Sequence, residues 1–326
     1  MSPPFPFFRY NNAAGGGELS ISAYEIVQHV VEQKSFNRAA EIVNLTPGAV
    51  SRSISGLESL LGFPLFVRRK RGVELTQEGE ILYPYICDIL RREETLRQKV
   101  AEIQGLAIGS VRIAALGSVC IAWLPQIIRS FNRVYPHIHV MISEAESSDI
   151  VRSVRDSFAD IGFVALPGGE GLCEIPLYED PLYCVTPQNY FPKEKHFVTV
   201  EDLAQMTFLT PQNGRDISVI LDLFEEKDSY PYSIPVMGDN ATLAMVECGM
   251  GSSIIPGLFL GNRTVRAGVY PIVPGHYRTI GLITTSREKL SPATHRMVQH
   301  IISQMKERGL LHLHKQVPEW MSLQSD

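Results

Sequence analysis

Two short helical patterns separated by a tight turn constrain the fold of this chain more than any other feature. The first helix is expected to begin at Ser35, whose hydroxyl can cap free backbone N–H groups. Asn44 and Leu45 are expected to make the turn. Thr46 can then cap a second helix, and Pro47 takes its first position, where a missing N–H costs nothing. Apolar residues recur at helical spacing on both helices, at Phe36, Ala39, Ala40 and Val43 and then at Val50, Ile54, Leu57 and Leu61.

The opposite side of the second helix predicts contact with DNA. Short or planar hydrogen-bonding side chains allow a helix to lie close to base edges in a major groove. The residues expected on this side are Pro47, Gly48, Ser51, Arg52 and Ser55. The pattern is therefore that of a DNA-reading helix-turn-helix.

A hairpin with a basic tip is expected directly after the second helix. Residues 34–72 contain seven Lys and Arg against two Glu, whereas the whole chain carries a net charge of −5. Positive charge is thus concentrated here, as contacts with phosphates require. A run of basic residues can also be a solvated turn, but its place after a helix-turn-helix favours DNA contact. The candidate contacts are Arg68, Arg69, Lys70 and Arg71.

Several linked motifs in this region resemble the N-terminal signature of the LysR-type transcriptional regulators. They are residues 35–40 (SFNRAA), 49–54 (AVSRSI), 57–58 (LE), 60–62 (LLG), 64–66 (PLF) and 75–79 (LTQEG). The resemblance covers nearly everything after Leu19. It implies a winged helix-turn-helix, a long dimerising linker helix and a two-lobed α/β effector domain similar to periplasmic binding proteins. The sequence departs from the family at Pro47 and Gly48, where a glutamine followed by proline or serine is usual.

The expected linker helix begins at the cap residue Thr76 and runs to about Gln104. Apolar residues recur every seven positions along it, which suits packing against a second identical helix. The dimerisation residues expected from this repeat are Leu82, Ile89, Leu96 and Ile103. An amphipathic helix packed on its own domain is the alternative. Pro84 lies inside the helix and is expected to kink its axis.

Strands and helices alternate from Val111 onward, which indicates parallel strands covered by helices. The predicted strands are 111–115, 139–143, 160–165, 183–186, 207–210, 252–256 and 278–285, and the predicted helices are 121–134, 148–158, one from 200, 217–227, 241–248 and about 293–308, with a loop at 116–119. The chain is expected to leave the first lobe near 176–180 and to return to it before Arg278. Two crossings of this kind leave a cleft between two lobes.

These patterns together predict an α/β protein with an N-terminal all-α winged helix-turn-helix. The expected parts are a disordered lead (1–18), the DNA-binding domain (19–75), the linker helix (76–105), lobe I (106–176 and 277–312), lobe II (177–276) and a C-terminal tail (313–326). A dimer or tetramer that binds double-stranded promoter DNA is the expected assembly.

The cleft is the expected binding site for a small-molecule effector, because ligands of open α/β sheets bind beyond the carboxyl ends of the strands. The candidate residues are Gly117, Ser118 and Val119, then Glu146 and Ser147, then Thr210, Pro211 and Asn213, and finally Asn240 and Thr242. The family resemblance places effector contacts near Ser118, Glu146 and Thr210. Hydroxyls and helix N-termini suit a polar or anionic molecule, and Arg215 could supply a charge for a carboxylate. Glu146 argues against a dianion. Each residue alone can also be read as a loop cap.

Other function classes have weaker support in the sequence. No export signal and no apolar run long enough to span a membrane are apparent, so we expect a cytoplasmic protein without a membrane partner. The five cysteines are widely spaced and form no CxxC pair, which leaves a redox sensor as an alternative. His312 and His314 have no further ligand nearby, so neither a metal nor another cofactor is expected. A solute-binding protein would explain only the cleft, and no residue stands out to carry catalysis.

Overall fold

The computed structural model describes residues 20–69, 72–169, 171–190, 192, 196–211, 233–236, 238–261, 263–286 and 289–309. The chain divides into two compact units, residues 1–94 and 95–326. The expected lead (1–18), the expected helix 217–227 and the expected tail (313–326) lie outside the described residues.

Unit 1 contains the two expected helices, one further helix before them and the expected hairpin after them. Its elements are α1 (Ile21–Gln33), α2 (Phe36–Ile42), α3 (Pro47–Leu61), β1 (Phe66–Arg69), β2 (Gly72–Leu75) and the first part of α4 (Gln77–Ile103). The hydroxyl of Ser35 accepts from Arg38 N at 3.4 Å, and that of Thr46 accepts from Ala49 N at 3.2 Å. Asn44 adopts a left-handed conformation in the turn, with φ of 53°. The predicted caps and turn are therefore confirmed.

The hairpin is attached to the helices by backbone and side-chain contacts. Glu58 Oε1 accepts from Leu65 N at 2.7 Å and from Phe66 N at 3.1 Å, so one α3 side chain fixes the start of β1. The rings of Phe36 and Phe66 meet edge to face, with centroids 5.8 Å apart. Val73 N donates to Lys34 O at 3.1 Å, which ties β2 to the turn between α1 and α2.

The helix α4 continues through Pro84 and crosses from unit 1 into unit 2. Its last turns are bound to the N-terminus of a later helix, α11 (Pro292–Glu307). Gln98 Oε1 accepts from Ala293 N at 3.1 Å, and Arg296 Nη2 donates to Glu102 Oε1 at 3.1 Å. The end of the linker helix is therefore part of the effector unit.

Unit 2 contains an eight-stranded mixed sheet with helices packed against it. The strands of unit 2 are β3 (Gly109–Ala115), β4 (Ile138–Glu144), β5 (Ile161–Leu166), β6 (Cys173–Thr186), β7 (Val198–Thr199), β8 (Phe208–Pro211), β9 (Ser233–Val236), β10 (Ser253–Pro256), β11 (Gly268–Val273) and β12 (Tyr277–Thr284), and all except β8 and β9 belong to this sheet. The other helices of unit 2 are α5 (Gly117–Ala122), α6 (Leu124–Val134), α7 (Ser147–Arg155), α8 (Val200–Leu203), α9 (Asp239–Glu247) and α10 (Gly257–Leu260).

The strand order of the large sheet is β4-β3-β5-β12-β6-β11-β7, and β10 also pairs with β6. β3 is parallel to both β4 and β5, as the sequence predicted, whereas β12 is antiparallel to β5 and β6. In lobe I the strands are β3, β4, β5, β12 and the first half of β6. In lobe II the second half of β6 pairs with β10 and β11. A separate parallel pair, β8 and β9, completes lobe II.

Two sequence-based boundaries were wrong for reasons that involve proline. The predicted strand 183–186 is only the end of the 14-residue β6, which runs from lobe I into lobe II. Pro176 and Pro181 break the apolar pattern, and a register irregularity beside Pro176 accommodates the first. The predicted loop 116–119 and helix 121–134 are instead α5 and α6, separated at Trp123. Pro125 has no N–H to bond to the preceding turn, so the helix restarts there.

The two lobes have separate buried cores. The lobe I core packs α5, α6, α7 and α11 against the sheet through residues such as Trp123, Phe131, Phe163 and Met297. Lobe II has one apolar cluster around Phe208 and another around Leu209 and Phe259. The adjacent residues Phe208 and Leu209 therefore pack into cores on opposite sides of β8. Among the described helices, none combines the length and apolar character that crossing a membrane requires.

Candidate functional site

The outer side of α3 presents the residues predicted to read DNA. Pro47, Gly48, Arg52 and Ser55 are exposed and Ser51 is half-buried. On the opposite side Val50, Ile54 and Leu57 are buried against the other helices, and Leu61 is half-buried. No atom lies within 4 Å of a Cβ placed on Gly48, so the start of the helix is sterically open. This side of α3 can approach a groove closely.

The hairpin of β1 and β2 corresponds to the wing of a winged helix-turn-helix, and its two described arginines, Arg68 and Arg69, have different surroundings. The guanidinium of Arg68 lies over the ring of Phe36, 5.8 Å from its centroid. Arg69 Nε lies 3.4 Å from Glu74 Oε2 across the hairpin, and both side chains are exposed. Arg68 is thus tied to the helices, whereas Arg69 is held loosely by a weak surface pair. Lys70 and Arg71 lie outside the described residues.

An apolar stripe runs along the exposed side of α4. It consists of Ile81, Tyr85, Ile89, Leu96, Val100 and Ile103. Their spacing of three, four or seven residues places them on one side of the helix. Three of the four predicted dimerisation residues belong to this stripe, and Leu82 is half-buried at its edge. Leu96 is 64% exposed within the chain, which is unusual for a leucine in a well-packed fold.

The lobe I residues of the predicted cleft lie where β3 and β4 end side by side. The two strands are parallel, with Ala115 opposite Glu144, so the segments that follow them begin at the same edge. A Cβ placed on Gly117 would lie 2.6 Å from Glu144 Oε1, which shows how closely this carboxylate approaches α5. Glu146 is exposed and precedes α7, and Ser147 is buried at its first position. Sequence reasoning missed Glu144 because it ends a strand of otherwise ordinary pattern.

Ser118 is part of a buried polar network that spans both lobes. Ser118 is only 2% exposed, and Arg278 Nη2 donates to its hydroxyl at 3.0 Å. Arg278 Nε donates to Asp180 Oδ2 at 3.0 Å, and Leu258 N donates to Asp180 Oδ1 at 2.7 Å. The sequence contained only an indirect signal for these residues, namely charged side chains inside two apolar strands.

Val119 does not belong to the cleft wall that the sequence predicted. It is fully buried in the lobe I core, because residues 117–122 form a helix whose inner side faces the sheet. A loop would have left its side chain free to face the cleft.

The lobe II half combines the end of β8 with the start of α9, which pack against each other. Thr210 is 3% exposed. Thr242 is also buried, near the start of α9. Its hydroxyl donates to Gly238 O at 3.1 Å, so the hydroxyl proton is already used in a hydrogen bond within the protein. Asn240 is exposed, and its Oδ1 accepts from Arg263 Nη1 at 2.7 Å. Pro211 ends β8, and Asn213 and Arg215 lie outside the described residues.

Three of the thiols have surroundings that disfavour the thiolate. Burial, helped by the negative charge of Glu144, raises the pKa of Cys120 from 9.0 to about 11. Burial and then Asp202 raise the pKa of Cys184 to about 12. The pKa of Cys173 is also raised, first by burial and then by Glu174. Within the described parts of the chain, no group of three or more His, Cys, Asp and Glu side chains could hold a metal ion.

Comparison with known proteins identifies both parts of the chain. Residues 21–80 match the family of bacterial regulatory helix-turn-helix proteins of the lysR type, and residues 104–306 match the LysR substrate-binding domain. The HTH-type transcriptional regulator YbhD of Escherichia coli is 26% identical over 289 residues, which are 87% of this chain and 90% of that protein.

Two solved structures share the fold at full length. OxyR from Pseudomonas aeruginosa, in a variant form, has a TM-score of 0.71 at 20% identity, covering 89% of this chain and 98% of that one. CbnR, a LysR family regulator solved with its target DNA, has a TM-score of 0.63 at 22% identity, covering 88% of this chain and all of the other. The two family models together match more than half of the chain, so the chain belongs to the LysR family, whose members are transcription regulators and not enzymes, with a DNA-binding helix-turn-helix and an effector-binding domain.

Proposed function

We propose that this chain acts as a homo-oligomer in the cytoplasm, where two copies place their α3 helices on promoter DNA and a small polar molecule in the cleft alters their grip. The observation that carries the proposal is the outer side of α3, where Arg52 is exposed on the side of the helix opposite its buried apolar residues. An arginine in this position can make a bidentate contact with guanine in the major groove.

The wing would supply contacts of a different kind. Arg69 is exposed and only loosely paired with Glu74, so it can exchange that partner for a phosphate. Arg68 would hold the wing against Phe36 and contact DNA less directly. CbnR, which shares the fold of this chain, has been solved in complex with its target DNA, and this supports the proposal that the chain binds DNA.

The apolar stripe on α4 supports self-association, since a second copy of the same stripe would remove it from water. Dimers suit a regulator that binds two half-sites on one face of the DNA.

The cleft would bind its effector through hydroxyls more than through charge. Arg278 is already paired with Asp180, so the guanidinium is engaged before any ligand enters. Glu144 and Glu146 add negative charge at the lobe I edge. We therefore favour a polar molecule with at most one negative charge, and a dianion would be repelled.

Footprinting on the DNA upstream of the gene for this chain tests the proposal. The probe for the ligand is a protein-free extract of small molecules from the source cells, added to the full-length protein. Wild type should protect one defined site, and the extract should change the length of the protected region. Thr210→Val should keep the basal footprint and lose the change, because it removes the hydroxyl and keeps the shape. Protection of random sequence only would contradict the DNA-binding proposal, and a Thr210→Val chain that responds like wild type would show that the cleft is misplaced.

A further inference from the structure

A buried ion pair lies where the two strands that join the lobes run side by side. Asp180 of β6 and Arg278 of β12 are direct partners in the antiparallel register. Their side chains are 0% and 3% exposed, and Arg278 Nε lies 3.0 Å from Asp180 Oδ2. A pair buried this completely is expensive to desolvate, and apolar replacements are often as stable. Stability alone is therefore a weak reason for its presence.

Further polar atoms of this pair reach one helix from each lobe. Arg278 Nη2 donates to the hydroxyl of Ser118 on α5 of lobe I, at 3.0 Å. Asp180 Oδ1 accepts from Leu258 N on α10 of lobe II, at 2.7 Å. The two helices also pack against each other, and Leu258 lies against the lobe I core. One ion pair thus sets the position of both helices relative to both joining strands.

We propose that Arg278 and Asp180 are positioning residues of the effector site, which fix Ser118 and Leu258 in one geometry and so couple the cleft to the arrangement of the lobes, without giving their charge to the effector. This inference rests on the proposed function, because it assumes that the cleft is the regulatory site. It also changes how Ser118 is read. Removing the Ser118 hydroxyl leaves Arg278 Nη2 without this buried acceptor, so Ser118→Ala perturbs the network as well as any ligand contact.

Arg278→Lys separates the two arms of the network. A lysine ammonium can pair with Asp180, but it lacks the planar fork that reaches Ser118 at the same time. Leu258 N should therefore keep its acceptor, whereas α5 should loosen. The matched control is Arg152→Lys on α7, which changes an exposed pair in the same lobe, Arg152 with Asp149 at 2.7 Å.

Amide hydrogen exchange of the full-length protein, with no ligand added, measures this separation. The amides of Val119 and Cys120 at the start of α5 should exchange roughly tenfold to a hundredfold faster in Arg278→Lys, as loss of a charged hydrogen bond predicts. The Leu258 amide should stay near its wild-type rate, and Arg152→Lys should change neither. Unchanged α5 amides, or a uniform increase throughout lobes I and II, would overturn the inference, because the pair would then be either idle or merely structural.

Footprints of the same variants connect the network to regulation. Arg278→Lys should alter the length of the protected region while half-site affinity stays at the wild-type value, since unit 1 is unchanged. If Arg278→Lys gives the same footprint as wild type, this inference is overturned but the proposed function is not. A wild-type chain without any specific footprint would remove the proposed function first. If Arg278→Lys does not fold, Asp180→Asn combined with Arg278→Gln provides a neutral pair too short to reach Ser118, and it should show the same fast exchange in α5.

Discussion

Arg52 and Arg69 test different parts of the DNA contact, one on α3 and the other on the wing. Arg52→Ala should weaken binding to the specific site by about 1–3 kcal/mol and relax its sequence preference, because a base contact is lost. Arg69→Ala should weaken specific and random duplexes about equally and lower the salt slope by about one, because a phosphate contact is lost. Binding titrations on specific and random duplexes at several salt concentrations measure the two affinities, the sequence preference and the salt slope.

Arg38, which is exposed on α2 outside the proposed reading side, provides the matched control. Arg38→Ala should leave sequence preference intact. An Arg52→Ala chain with unchanged affinity and preference would show that α3 does not enter the groove.

The cysteines give a second prediction at the scale of single residues. A raised pKa means less thiolate at a given pH, and about one thiol in a thousand is ionised three pH units below its pKa. Cys120 and Cys184, with pKa values of about 11 and about 12, should therefore react slowly at pH 8. Cys248 is exposed and should react first with a thiol reagent.

Cys248→Ser should abolish this fast reaction, and Cys173→Ser is the control that should leave it in place. Two fast thiols, or a disulfide formed under mild peroxide, would revive the redox-sensor alternative.

Among the helices, α4 makes the sharpest prediction. Leu96 is exposed at the middle of the apolar stripe, so Leu96→Asp should place a charge in the proposed contact between the α4 helices of two copies. Burial of a charge without a partner is costly there. Analytical ultracentrifugation should then show a larger monomer fraction than in wild type. Leu106→Asp is the control, because Leu106 is 51% exposed but lies beyond the end of the helix. An unchanged assembly state for Leu96→Asp would mean that other surfaces hold the oligomer together.

Local signals predicted the helices of unit 1 well because their caps and turns are encoded by nearby residues. Ser35 and Thr46 cap the helices they were expected to cap, and Asn44 makes the left-handed turn. The length of β6 was not predictable in the same way. Its prolines suggest chain breaks, and only pairing with β10, β11 and β12, all distant in sequence, keeps it a strand.

The candidate cleft shows the same limit. Hydroxyl residues at strand ends, such as Ser118 and Thr210, can be found from the pattern of strands and helices. The partnership of Arg278 with Asp180 and Ser118 joins residues 98 and 160 positions apart, and no local pattern indicates it. Val119 was misplaced because one turn of helix was read as a loop.

At the scale of the whole molecule, the proposed function is that of a dimer in which each copy reads one half-site of the DNA. The proposed DNA-reading side of α3 is on unit 1, the proposed dimer contact is on α4, and the proposed effector cleft is in unit 2. Because binding at the cleft can influence DNA only through the arrangement of the dimer, the spacing between half-sites is the quantity on which the account depends.

Helical phasing of the two half-sites tests this claim most directly. Full-length wild-type protein is titrated onto its footprinted site, onto the same site with about 5 base pairs inserted between the half-sites, and onto one with about 10, a full turn of DNA. We expect the half-turn insertion to weaken binding by about tenfold or more, because both copies can no longer bind at once, and the full-turn insertion to restore much of the loss. Equal affinity for all three duplexes would contradict this claim, because the chain would then bind each half-site independently.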